Sequence, residues 1–214
     1  MKTKAKDTLL LHKKWLAGEE DGARADFSEV DLSWLDFSGL DLLGANFNSA
    51  ILDSANLSGA NLERTAFNGA SLERANLSGA NLKMAALCST NLKMANLSWA
   101  NLEFANLCMT NLDAAILDGA NLDASNFYMS VGNLKNIKTL QCERYPIAYT
   151  AELLQIGCEK FPIEKWKNLT DDEIAKMDGS GVLEWWHKWR HVIFEIIEIS
   201  PAEPTGYVKK QKND

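Results

Sequence analysis

The side chains of this sequence best able to do chemistry are Cys142, Cys158, His187 and His191, a set that could bind zinc through thiolate sulfur and imidazole nitrogen. The two histidines stand four residues apart, one helical turn, so both could face one metal. The cysteines fit poorly, because zinc modules supply a close cysteine pair and fifteen residues separate these two. The same residues make a weak thiol nucleophile and base, since no third orienting group or oxyanion loop accompanies them. No P-loop, no glycine fingerprint after a strand and no convergent carboxylate pair occurs. The sequence therefore assigns no catalytic residue, no cofactor and no metal. An enzyme is a remote alternative resting on the cysteines and histidines beyond residue 140. The other two cysteines, Cys88 and Cys108, are expected to stay free thiols in a reducing cytoplasm, because nothing at the start of the chain reads as a secretion signal.

The framework that would position any such group is a repeat. From Ala25 to Met129 the pattern A-(D/N)-L-x-x recurs in twenty-one consecutive pentads, and Leu or Phe stands at every centre, from Phe27, Leu32 and Phe37 to Leu122 and Phe127. Two residues before the centre stands a small residue, as at Ala45, Ala75, Thr90 and Ser125. A period of five matches neither the 3.6 of a helix face nor the 2 of a strand face, so each unit must turn a corner. The centre and the small residue point inward, as alternate residues of a short extended segment do, while the other positions carry turn formers and solvated side chains. Such units bury their apolar faces only by stacking.

These residues resemble the pentapeptide-repeat family over positions 25–129. The resemblance implies an all-β solenoid, a right-handed β-helix of square cross-section with twenty residues per coil. Twenty-one pentads then make about five coils, a rod roughly 25 Å long at parallel-strand spacing. A second period supports this: Ser38-Gly39, Ser58-Gly59, Ser78-Gly79 and Asp118-Gly119 fall on multiples of twenty, as do Cys88 with Cys108 and Met84 with Phe104.

Four regions are expected. Residues 1–24 form an N-terminal helical cap, helical over Thr8 to Leu16 and ended by Gly18, with Lys2, Lys4 and Lys6 as a frayed leader. Residues 25–134 form the solenoid, whose register fails after Met129; enlarged Val30, Leu35 and Leu40 in the first coil await a sealing element. Residues 135–205 form a small α+β module. It has one or two strands between Tyr145 and Ile156, short helices over Pro162 to Asn168 and Thr170 to Met177, and an amphipathic helix over Gly181 to Ile199 stopped by Pro201. Its Ile156-Gly157-Cys158, Trp166 and Trp185, Trp186 and Trp189 are similar to the tail of some pentapeptide-repeat proteins of phages and prophages. Residues 206–214 read as a disordered tail.

The charge is uneven: the solenoid holds four basic and twelve acidic residues against a whole-chain net of -7. Asp26, Glu29, Asp31, Asp36, Asp41 and Asp53 precede any solenoid cation, Arg64, Arg74, Lys83 and Lys93 interrupt, and Glu103, Asp113, Asp118 and Asp123 restore the negative sign. Direct binding of nucleic acid is disfavoured, since phosphate needs a basic groove. No apolar run is long enough for a membrane span. Outward turn positions of the later coils carry Met84, Met94, Trp99, Phe104, Met109 and Met129, where polar residues are expected. Either the C-terminal module folds back or a second copy packs over this patch, the preferred expectation, or it meets another partner. The leading function is a non-enzymatic protein–protein interaction module, with the solenoid as rigid scaffold and an unidentified protein partner recognised by the apolar patch and the C-terminal module. Its alternative, implied by the family resemblance, is an acidic DNA mimic acting on gyrase or a nuclease, with homodimerisation joining the acidic ends.

Overall fold

The computed structural model describes residues 2–178 and 181–207; Met1, Gly179, Ser180 and the segment 208–214, where most of the expected disordered tail falls, lie outside the described residues. Helix α1 spans Lys2–Leu16. It starts earlier than the expected Thr8, because Lys and Ala ahead of that residue are good helix formers and no breaker intervenes. Lys13 and Lys14 in its last turn complement the helix dipole, and Gly18, at φ 74°, closes it. Leu9 of α1, with Val30, Leu35 and Leu40 of the first coil, packs against the core of the rod.

The rod is a right-handed β-helix with four pentads to the coil. Each coil pairs with the next in parallel at a constant offset of twenty, from Asp26 with Asn46 to Asn111 with Val131. Every pentad centre from Phe27 to Phe127 is buried, and Phe27, Phe47 and Phe67 stack at 5.0 and 5.1 Å in one column. The inward hydroxyls find partners one coil back: Thr65, Thr90, Thr110 and Ser125 donate to the carbonyls of Leu42, Phe67, Leu87 and Leu102 at 2.6–3.0 Å. At each corner the second turn residue adopts a left-handed conformation, including Met84 at φ 58° and Trp99 at φ 62°.

The polar residue before each centre ties coil to coil. Asn121 donates to Asn101, Asn101 to Asn81, Asn81 to Asn61 and Asn61 to Asp41, at 2.8–3.2 Å, while each Oδ1 also accepts the backbone N–H two residues on, as Asn81 does from Lys83 at 3.3 Å. A column of amides passes its donors toward the N-terminus, so its first rung must only accept. Aspartate does that, and Asp26, Asp36 and Asp41 each receive the amide of the coil above, at 2.8–3.0 Å. Where Ala66 and Ala86 replace the rung, Asn48 and Asn68 of the preceding coil take over as acceptors, at 2.8 and 3.0 Å.

The coil does not stop at Met129. Ser130 and Val131 continue the next pentad, Val131 pairing with Asn111, and Leu134 occupies its corner at φ 61°. Gly132 stands at the centre because Ile137 has moved in: a Cβ there would lie 2.1 Å from the Ile137 carbonyl oxygen. Beyond lies a four-stranded antiparallel meander, β1 (Lys138–Cys142), β2 (Tyr145–Tyr149), β3 (Leu153–Ile156) and β4 (Glu159–Pro162), in the order β1-β2-β3-β4. Two strands more than expected form, because β1 and β4 are polar and their signal is weak without their partners. Helices α2 (Ile163–Lys167), α3 (Asp171–Ala175) and α4 (Val182–Ile199) follow. Thr170 caps α3 in a reciprocal capping box with Glu173. The module has a second core, built on Leu154, Trp166, Ile174, Trp186 and Ile193.

Side chains of this module finish the last coil. Gln155, buried, accepts the Phe127 N–H at 2.8 Å and donates to Asn126 Oδ1 at 2.7 Å, supplying the two contacts that an asparagine of a further coil would make. The Lys160 ammonium donates to the carbonyls of Ala124 and Ser125, the Thr205 hydroxyl donates to the Ala120 carbonyl at 2.7 Å, and the Thr205 carbonyl accepts from Gly119. At the opposite end Nδ1 of His12, a buried residue, accepts the Ala25 N–H at 3.1 Å. Burial pushes the His12 imidazole below its usual value, Asp41 opposes this and Arg24 adds to it.

Two predictions test these seals. Replacing Gln155 with Leu strands the Phe127 N–H and the Gly157 carbonyl, takes one of two donors from Asn126 Oδ1, and should cost about 2–4 kcal/mol, read as a lower midpoint in urea; an unchanged midpoint would remove Gln155 from the junction. Because the folded His12 is held neutral, its contribution is complete above the ordinary histidine pKa of about 6.5 and is lost as pH falls through that value toward the depressed one. A fall in Tm between pH 7 and 5, flattened by His12→Gln, is the expected result.

Candidate interaction surface

The metal and thiol candidates do not assemble. Cys142 is buried in β1, with its thiol pushed up by burial and then by Glu143, whereas Cys158 is exposed in the β3–β4 turn. His187 and His191 lie exposed on α4, and His187 pairs with Asp171 at 3.2 Å. Among the described residues no group of three or more His, Cys, Asp or Glu side chains is placed to hold a metal ion. Cys88 and Cys108 stack one coil apart as free thiols; burial, then the hydrogen bond and charge of Cys88, and Cys158 beyond it, push Cys108 up to about 11. A thiol with that pKa stays protonated at neutral pH and does not act as a thiolate nucleophile.

The acidic residues are distributed by the coil register, not gathered on one face. Asp26, Asp31, Asp36 and Asp41 fall in four successive pentads of the first coil, one per face, so they ring the rod's N-terminal end. The backbone N–H of Ser28, then its hydroxyl, lowers the Asp26 pKa; the hydroxyls of Ser33 and Ser38, then their N–H groups, do the same for Asp31 and Asp36. Glu29 stands at a corner at φ 61°, and Asp53 accepts from the Ser71 hydroxyl at 2.5 Å and the Glu73 N–H at 3.0 Å. Further along, Glu103 pairs with Lys83 at 2.9 Å, Asp113 with Lys93 at 3.2 Å and Asp118 with Lys135 at 2.8 Å, while Asp123 lies one coil past Glu103 in the same column.

The apolar turn residues are all exposed, against the expectation that the C-terminal module folds back over them: that module sits on the rod's end instead. Nor do they form one patch. The twenty-residue register puts Met84 and Phe104 in one corner column, Met109 and Met129 in the next, Met94 in a third and Trp99 in the fourth. Trp99 and Phe104 are 72% and 56% exposed, and with Met84 they border the face carrying the Lys83–Glu103 pair. The Trp99 indole lies over Gly119, where a Cβ would fall 2.4 Å from the ring. Trp34, 80% exposed at φ 64°, occupies the equivalent turn position in the first coil, in the corner column of Met94. The corner rule that picks out Trp99 finds Trp34 as well, but attention to the later coils passes over it. In the module Trp185 and Trp186 are core residues, the former donating to the Cys142 carbonyl at 3.0 Å; Trp189 is half-buried and donates to Glu143 at 3.1 Å.

Left-handed backbone costs a non-glycine residue roughly 1–2 kcal/mol, so bulky apolar side chains at these corners work against stability. Phe104→Gly should therefore leave the stability of the rod unchanged or raise it by up to about 1 kcal/mol, after the entropy that glycine adds to the unfolded chain. A clear drop in Tm would show that Phe104 is a packing residue.

A family model for pentapeptide repeats matches in 8 copies, over residues 25–64, 55–93 and 95–128. Among solved structures, a pentapeptide repeat protein from the cyanobacterium Cyanothece 51142 aligns at 24% identity over 62% of this chain and 95% of its own, with a TM-score of 0.54. One from Nostoc Pcc 7120 aligns at 36% identity over 48% and 78%, with a TM-score of 0.40. A plasmid-mediated fluoroquinolone resistance protein, trypsin-treated, aligns at 20% identity over 53% and 61%, with a TM-score of 0.47. No curated protein matches the chain.

Proposed function

Since the chain belongs to the pentapeptide-repeat family through residues 25–128, we propose that it is a non-enzymatic interaction module whose rigid rod presents side chains to a protein partner. The observation that carries this reading is the exposure of Trp99, Phe104 and Met84 around one face, at corner positions where the fold would accept glycine at less strain. The Lys83–Glu103 pair on that face adds a polar register for docking. The sheet-and-helix module acts as the support that ends the rod, with Trp189 as its partly exposed aromatic.

An acidic DNA mimic is the second reading, favoured by the solenoid's excess of carboxylates. It is the weaker one here. A mimic needs negative charge spaced along one side, whereas four aspartates ring the first coil and cations pair with the carboxylates further on, Arg64 with Glu63, Arg74 with Glu73, Lys83 with Glu103 and Lys93 with Asp113. Among the described residues no helix is long and apolar enough to cross a membrane. We place the protein in the cytoplasm with a protein partner, alone or as a homodimer.

The test compares capture from lysate by the full chain and by its Trp99→Ser/Phe104→Ser form. Loss of the retained protein with Tm held within a few degrees is expected. Retention by both forms, released steeply as salt rises, would favour the mimic instead. Leu77→Asp, which buries an unpaired carboxyl in the column, should unfold the rod and calibrates the assay.

A further inference from the structure

The column of turn residues that runs Ser28, Asn48, Asn68, Cys88, Cys108 and Tyr128 changes its chemistry halfway along the rod. Asn48 and Asn68 serve the frame. Each side chain accepts a backbone N–H one coil on, Asn48 that of Asn68 at 2.8 Å and Asn68 that of Cys88 at 3.0 Å. The next N–H in the column, that of Cys108, is taken by Asn106 at 3.2 Å, so the ladder does not call on the Cys88 side chain to continue the relay. Cys88 and Cys108 are half-buried free thiols, open to solvent in part. We propose that these two cysteines form a two-coordinate site for a soft monovalent cation, copper(I), held between their sulfurs on the outside of the rod.

The register supplies the spacing. Ala86 pairs in parallel with Asn106, and the Ser89 N–H donates to the Cys108 carbonyl at 2.8 Å, so the two cysteines stand in vertical register on adjacent coils. Parallel neighbours lie roughly 4.8 Å apart with their side chains leaving in the same direction. That spacing is close to twice a metal–thiolate bond of about 2.3 Å. The two thiols are within hydrogen-bonding reach of each other. A disulfide between them would need Cβ atoms about 3.5–4.5 Å apart, closer than the ladder sets them, whereas an ion spans the gap without moving the coils.

The number of donors selects the ion. Thiolate sulfur favours soft ions, copper(I) and zinc among them. Zinc in a structural site takes four ligands, and among the described residues no group of three or more His, Cys, Asp or Glu side chains is placed to hold an ion. Copper(I), with a filled d shell, accepts two donors in line. Cys158, exposed in the β3–β4 turn, acts on Cys108 through its charge and stays outside the pair. One copper(I) and two thiols give a bis-thiolate complex of single negative charge and two protons, which pass to solvent. The ion displaces the protons, so thiols that keep them in its absence are still competent ligands. The site stands apart from Trp99 and Phe104 and does not depend on the partner reading.

The full chain, reduced and kept free of oxygen, is titrated with copper(I) against a chromophoric copper(I) chelator. Alkylation of each cysteine is followed by peptide mass spectrometry. One equivalent of copper(I) is expected to move to the protein and to protect Cys88 and Cys108 together, while Cys158 reacts at its usual rate. Cys88→Ser and Cys108→Ser should each weaken binding about a hundredfold or more, the loss of a second donor held in place by the first. Serine stands at the equivalent turn position at Ser58, Ser78 and Ser98, so both variants should keep the Tm of the parent. Cys158→Ser should bind as the parent does, and zinc(II) should not displace the copper(I). Independent binding of one ion to each exposed thiol would overturn the proposal. So would undiminished binding by either single variant, or a loss in Cys158→Ser equal to theirs.

Discussion

The structure rests on one constraint, the parallel stacking of coils at a fixed offset of twenty residues. Each inward Leu or Phe is shielded only because the coils above and below present the same residue type at the same place, and backbone donors such as those of Asn76 and Leu77 find their carbonyls in the neighbouring coils, at Ala55 and Asn96. A solenoid built this way has no internal edge but two open ends, where unpaired backbone groups and core would otherwise meet water or another chain. The two ends are closed by different chemistry. At the first coil, aspartates terminate the amide columns as pure acceptors and a helix brings a histidine to the first inward N–H. At the last, a glutamine, a lysine and a threonine from the C-terminal module stand in for the missing coil.

The closure of the first coil changes the meaning of the charge. The first coil reads in sequence as an acidic block, and a block suggests a field directed at a partner. In the structure three of its aspartates are the lower rungs of hydrogen-bonded columns, placed one to a face, so part of the negative sign follows from how the rod begins. The exposed aromatics at the corners have no comparable structural reason. Glycine fills many equivalent corners, which is why Trp99 and Phe104, more than the aspartates, point to recognition.

The rod was legible because a local pattern and a long-range one coincide: the pentad gives the inward residues, and the twenty-residue spacing gives their vertical neighbours. The location of the apolar turn residues followed from the same arithmetic, but Met84, Met94, Trp99 and Met109 read as one patch until each was assigned its corner. The ends were harder. Gln155 and Lys160 sit in strands whose hydropathy says only that they are short and mixed; their roles depend on contacts with residues about thirty positions away. Gly132 looks like a break in the repeat, yet it marks the place where Ile137 enters the core.

A rod closed at its ends by side chains, and uniform between them, is an indexing device. Removing residues 61–80 would set Asn81 on Asp41 and restore every rung, shortening the rod by one coil while both termini kept their azimuth. Adding or losing a single pentad would instead turn the C-terminal module by a quarter revolution about the axis relative to α1. The pentad count therefore encodes two separable dimensions, length in whole coils and heading in the remainder, so the angle between the two ends can be retuned while Leu, Phe and small residues still fill every inward position.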